Sequence, residues 1–191
     1  MAARYWLAQF ARAVVALAAG AAITFDQGHS AALGLGVFSA FAILGGLVTC
    51  WSGFLVTDAS FRALFAVQGL VGVAAGVVAL VVRSGGLGAL LYTVSVWALI
   101  TGVLELLAGW RARRRLDEAA AVSRDWLLAG IATVVLAIVY LVIPPEHRLV
   151  VGLLGAYAVI IGVYLAIGAF SLKWAHPTAA LDADEATESH A

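Results

Sequence analysis

Residues 87–115 read LGALLYTVSVWALITGVLELLAGWRARRR, and this stretch decides the fold. Leu87–Trp110 has one charged side chain, Glu105, and at once gives way to a run containing Arg111, Arg113, Arg114 and Arg115. A helix rises about 1.5 Å per residue, so some 20 apolar residues cross the hydrocarbon of a bilayer. A cluster of arginines directly after such a segment marks the side that stays in the cytosol. The reading is therefore a membrane-crossing helix whose C-terminal end faces inward.

Working outward, five more stretches have the same character: Trp6–Phe25, Leu33–Leu55, Leu64–Val82, Trp126–Ile143 and Leu149–Leu172. The breaks between them carry turn chemistry: Asp26-Gln27-Gly28-His29, Asp58-Ala59-Ser60, Ser84-Gly85-Gly86 and Pro144-Pro145-Glu146-His147. The composition agrees, being 64% hydrophobic and 12% charged, with a mean hydropathy of +1.04. That charged share is about half that of a water-soluble domain, and a chain of this size has too little interior to hide so much apolar surface. The expected fold class is all-α: a polytopic membrane protein with six transmembrane helices.

With the N-terminus in the cytosol, the inner side holds Arg4, Arg12, Arg62, Arg111, Arg113, Arg114, Arg115, Arg124 and Lys173. The outer side keeps Arg83 and Arg148. That asymmetry predicts both termini inside. Trp6, Trp51, Trp110, Trp126 and Trp174 fall near the same inner boundary, where amphipathic rings settle. Residues 1–24 have features of a cleaved leader, but Arg12 interrupts the apolar run, so a retained first helix is expected. The expected domain is residues 1–173, with hairpins over about 5–57, 61–111 and 123–173. The acidic residues 174–191 are expected to be a disordered cytosolic tail, since they hold Asp182, Asp184, Glu185 and Glu188 without lysine or arginine beyond Lys173.

The hairpins share features. Phe10-Ala11-Arg12, Phe61-Arg62-Ala63 and Ser123-Arg124-Asp125 each open an outward helix, and Gly46, Gly102 and Gly162 stand near the middle of each return helix. Eight residues after each glycine comes an aromatic: Phe54, Trp110 or Phe170. A two-helix unit brings the chain back to its starting side, so the three units are expected as parallel repeats about an axis along the membrane normal.

Polar residues inside such spans are costly and so informative. Arg12 lies six residues past Trp6, Gln68 six past Arg62, and Glu105 six before Arg111, which puts all three roughly 9 Å inside the inner boundary. Small residues share their faces: Gln9, Arg12, Ala16 and Ala19; Gln68, Gly72 and Gly76; Ala98, Thr101, Gly102, Glu105 and Gly109. Such faces let helices approach closely. Arg12, Gln68 and Glu105 are thus expected to form an intramembrane polar layer, with Gly72, Gly76, Gly102 and Gly162 as helix-packing positions. The bland alternative is that these side chains fix helix register, with arginine snorkelling to the interface. Cys50, Thr93, Ser95 and Thr101 read as packing residues.

No metal, cofactor or catalytic residues are expected. HExxH, GxSxG and P-loop patterns are absent, paired intramembrane acids are lacking, and a lone cysteine makes no CxxC. A formal net charge of zero gives no reason to expect nucleic acid. The expected partners are the lipid bilayer and a second copy or another membrane protein.

Arg124-Asp125-Trp126-Leu127-Leu128-Ala129-Gly130-Ile131, followed by Ile143-Pro144-Pro145 and by Ala158-Val159-Ile160-Ile161-Gly162, resembles the HdeD-like acid-resistance membrane proteins. The similarity covers roughly residues 60–173, including the helix from Trp97 to Gly109. The first two hairpins depart from it, having Asp26-Gln27-Gly28 and Ser84-Gly85-Gly86 in place of the closing proline. The resemblance implies a bacterial inner-membrane protein connected with acid or envelope stress, and no catalytic site. Set beside it are a small oligomeric transporter or channel protomer using the Arg12/Glu105 layer, and an accessory subunit of a larger membrane complex.

Overall fold

The computed structural model describes the backbone of residues 2–56, 58–115 and 120–188, and the side chains of 5–56, 58–114 and 124–174. Six helices follow in order: α1 (Ala2–Phe25), α2 (Ala31–Phe54), α3 (Ala59–Val81), α4 (Gly86–Arg115), α5 (Ala120–Val142) and α6 (His147–Glu188). Among the described residues there are no strands. All six helices are long and apolar enough to cross a membrane. The molecule is an integral membrane protein with a multi-pass fold, and side chains such as Phe25, Phe54, Leu141 and Val142 stand outward where acyl chains would meet them.

The breaks act as their residues dictate. His29 takes a positive φ of 42°, and its N–H donates to Asp26 Oδ2 at 2.7 Å. Ser30 then caps α2 by accepting from the N–H of Leu33 at 3.2 Å. Asp58 caps α3 through the N–H groups of Ser60 and Phe61, so the helix begins five residues before the expected Leu64. The consecutive prolines after α5 cannot continue a helix. At the other end of the chain, α6 does not stop with its apolar face. It continues through the acidic segment to Glu188, where an irregular tail was expected. Extending an existing helix needs no new nucleus, and the alanines and glutamates there favour it.

Helix pairing crosses the expected hairpins. α2 packs most closely on α3, α4 on α5, and α6 returns to pack on α1; of the consecutive pairs, α5 and α6 touch least. Glycines set these contacts. A Cβ on Gly46 would meet Val73 N at 2.8 Å, one on Gly102 would meet Val134 N at 2.9 Å, and one on Gly162 would meet Leu17 N at 3.0 Å. Gly72 and Gly76 lie in the α2–α3 contact, against Ala42 O and Ser39 O. In lipid no hydrophobic force draws helices together, so this backbone-level contact supplies much of the dispersion energy that does.

Phe41, Trp97 and Tyr157 each stand five residues before one of the three mid-helix glycines. They meet near the middle of the bundle, Trp97 lying 5.6 Å from Phe41 and 6.4 Å from Tyr157 between ring centroids, edge to face. Phe38 joins them at 5.2 Å. Toward the loop ends at Ser30, Gly86 and His147, the core is filled by Leu35, Leu90, Val94, Val150, Val151 and Leu154, all buried.

Candidate functional site

On the other side of this aromatic layer the packing opens into a cavity of about 80 Å³ lined by all six helices. Its centre is Glu105, buried on α4. Gly102 lets α4 approach α5 one turn earlier, and a Cβ on Gly130 of α5 would meet Glu105 Cβ at 3.1 Å. The carboxylate is therefore carried directly against α5.

Its two oxygens are shared among three helices besides its own, and a fourth is reached through Thr133. Gln68 Nε2 of α3 donates to Oε1 at 2.9 Å, and the Arg12 guanidinium of α1 stands 3.5 Å from the same oxygen. Thr133 Oγ1 of α5 lies 3.1 Å from Oε2. That hydroxyl is also 2.9 Å from Tyr157 OH of α6 and 2.8 Å from the carbonyl of Ala129. A buried polar group in hydrocarbon without partners costs several kcal/mol, on the order given by transfer data; here Glu105 has hydrogen bonds on both oxygens.

Gln9, Asp125 and Tyr164 line the cavity on the side of the arginine-rich helix ends. Tyr164 OH donates to Asp125 Oδ1 at 2.8 Å, bridging the loose α5–α6 seam. Trp126 also lines the cavity, edge to face with Phe65 at 4.7 Å. At the opposite end of the seam Tyr140 OH donates to Val150 O at 2.6 Å. Three tyrosines, Tyr140, Tyr157 and Tyr164, thus tie α5 to α6 at three heights where close backbone packing is lacking.

Arg12, Gln68 and Glu105, singled out by polarity, depth and helix face, come together around the Glu105 carboxylate. Their helix faces turn inward with them: Ala16, Ala19, Gly72, Gly76, Ala98, Thr101, Gly102 and Gly109 are buried. Sequence reasoning missed Thr133, Tyr157, Asp125 and Tyr164. The signal was present as spacing, since Asp125, Ala129 and Thr133 recur every four residues and Tyr157 and Tyr164 are two turns apart. Thr101 lines the cavity one turn before Glu105, and its Oγ1, like Ser95 Oγ, is buried without a hydrogen-bond partner. Cys50 is a free thiol, 3.7 Å from the carbonyl of Ala66. Among the described residues no group of three or more His, Cys, Asp or Glu side chains is gathered as a metal would require. The arrangement can hold paired charges, bind water and exchange protons.

Residues 67–142 match the model of DUF308, a family described as a short repeat of unknown function. The matched segment carries Gln68, Glu105 and Thr133 but neither Arg12 nor Tyr157. No curated protein and no solved structure matches the chain. By its helices the protein is an integral membrane protein, and by residues 67–142 it is similar to the DUF308 short repeats.

Proposed function

We propose that this is a non-enzymatic, multi-pass protein of a bacterial inner membrane, of the HdeD-like kind, that supports tolerance of acid or envelope stress. The DUF308 family includes HdeD-like proteins, in keeping with the residues from Arg124 to Gly162 that resemble them. In this reading the chain is three parallel two-helix repeats. The like contacts of Gly46, Gly102 and Gly162 support it. The excess of arginine at one set of helix ends supports an N-in, C-in orientation.

One observation carries the non-enzymatic reading. The interior polar side chains bind one another across helices, around Glu105, while the other half of the core is packed with apolar groups. That is the build of a braced body more than of a conduit. Deleting the gene in its host and exposing cells to acid medium tests the role: survival falls and a plasmid copy restores it. Unchanged survival would remove the stress function.

The cavity favours a second reading, a small transporter or channel protomer using the Arg12/Glu105 layer. Proteoliposome flux of protons and small ions separates the two. Background flux for wild type is the result expected here. Flux above that of empty vesicles, abolished by Glu105→Gln, would put transport in its place.

A further inference from the structure

Thr133 has one hydroxyl proton and three neighbours able to take part. Its Oγ1 lies 2.8 Å from Ala129 O, 3.1 Å from Glu105 Oε2 and 2.9 Å from Tyr157 OH. With Glu105 ionised, Thr133 donates to Oε2 and accepts from Tyr157. With a proton on Oε2, the acid O–H donates to Thr133 instead. Thr133 then turns its own proton to Ala129 O, and its second lone pair still accepts from Tyr157. Both forms of the acid are fully hydrogen-bonded, and the change between them needs only one hydroxyl rotation.

A second feature shows how a proton would arrive. Thr101 Oγ1 is buried in the cavity wall with no protein partner, and such a hydroxyl is ordinarily met by water. The cavity, about 80 Å³, is several times the roughly 10–15 Å³ that one water requires. Its lining reaches Gln9, Asp125 and Tyr164 toward the arginine-rich end, and toward the apolar half it is bounded by the rings of Phe41, Trp97 and Tyr157.

We propose that Glu105 is a reversible protonation site, reached by water from the Arg12/Asp125 end only, with Thr133 as the rotor that satisfies both of its states. A hydronium in the cavity passes one proton to the carboxylate and becomes water; no other bond is made or broken. The charged and titratable groups facing Glu105 are Arg12 from α1, Asp125 from α5, and Tyr157 and Tyr164 from α6. Among the described residues α2 and α3 offer it Thr49 and Gln68, which do not titrate. Protonation removes the attraction that holds Arg12 3.5 Å from Oε1, so the guanidinium is left to the cavity water.

The inference rests on the helices spanning a bilayer, which flotation of the protein with vesicles checks by itself, and it does not depend on the stress role. The test is infrared difference spectroscopy on Cys50→Ala protein in vesicles, stepped between neutral and acid buffer in H2O and D2O. A protonated-carboxyl band is expected to grow on acidification, to vanish in Glu105→Gln and to persist in Asp125→Asn. Thr133→Val should shift that band, because the acid O–H loses its acceptor. A cysteine at position 101 should react with a small charged thiosulfonate from the arginine-rich side, and one at position 94 from neither. Absence of any band removed by Glu105→Gln would overturn the protonation site, and a band indifferent to Thr133→Val would overturn the rotor. Reaction at position 94 from the opposite side would overturn one-sided access.

Discussion

The pairing of Arg12 with Glu105 makes the sharpest energetic prediction. At 3.5 Å and an effective dielectric of about 20, the gross attraction is roughly 4–5 kcal/mol. Two effects reduce it. The Arg12 side chain is 20% exposed, so without its partner it can swing toward the arginine-rich helix ends and recover water. Glu105 keeps its bonds to Gln68 and Thr133 when Arg12 is gone, and it can take up a proton. Interhelical polar contacts measured in membranes are worth about 0.6 kcal/mol on average and about 1.7 at most. The net coupling expected is thus about 1–2 kcal/mol. Glu105→Gln should cost about 2–3 kcal/mol, because it leaves a cation partly buried and unpaired. Arg12→Met should cost less, and the double variant should be less damaged than the sum of the two by the coupling energy. Reversible unfolding of the micelle-bound protein, titrated with denaturing detergent, measures all four corners. Additivity within about 0.5 kcal/mol would refute the pairing as an energetic contact.

Gly102→Ala should destabilise by about 1–3 kcal/mol, because the new Cβ meets Val134 N at 2.9 Å and Gly130 O at 3.1 Å. Gly45→Ala, with nothing within 4 Å, serves as its control, and thermal melts in mild detergent distinguish them. Trp97→Ala removes the hub of the aromatic layer shared by Phe38, Phe41 and Tyr157 and should cost about 3–5 kcal/mol in the same melts. Single cysteines in the Cys50→Ala background fix orientation: positions 29 and 147 should label from the exterior and position 112 from the cytosol, and the reverse pattern would invert the proposed topology.

Much of the architecture could be read from the chain because hydrocarbon is an unforgiving solvent. It leaves Arg12, Gln68 and Glu105 only the bundle interior or the interface, and a shared distance from the boundary places them at one depth. Their partners were harder to see. A threonine or tyrosine in an apolar helix is commonplace, and Thr133 matters only because α5 lies against α4 at Gly102 and Gly130. Tyr157 matters only because α6 stands across a loose seam from α5. Adjacency of that kind is a property of helix pairing, and pairing was the weak point.

Connectivity cannot choose among neighbours here, since only a few residues separate each helix from the next at both ends of the bundle. The glycines choose. Gly46, Gly69, Gly72 and Gly76 bring α2 and α3 to backbone contact, Gly102, Gly109 and Gly130 do so for α4 and α5, and Gly20, Gly155 and Gly162 draw α6 onto α1. The last of these contacts closes the ring. It fixes α1, the first helix, between α2 and α6, and from there Arg12 reaches a carboxylate 93 positions further along the sequence. The polar centre is therefore a consequence of where small residues permit backbones to touch. A side chain as large as leucine at position 162 would separate α1 from α6 and disperse the cluster without altering any of its polar members.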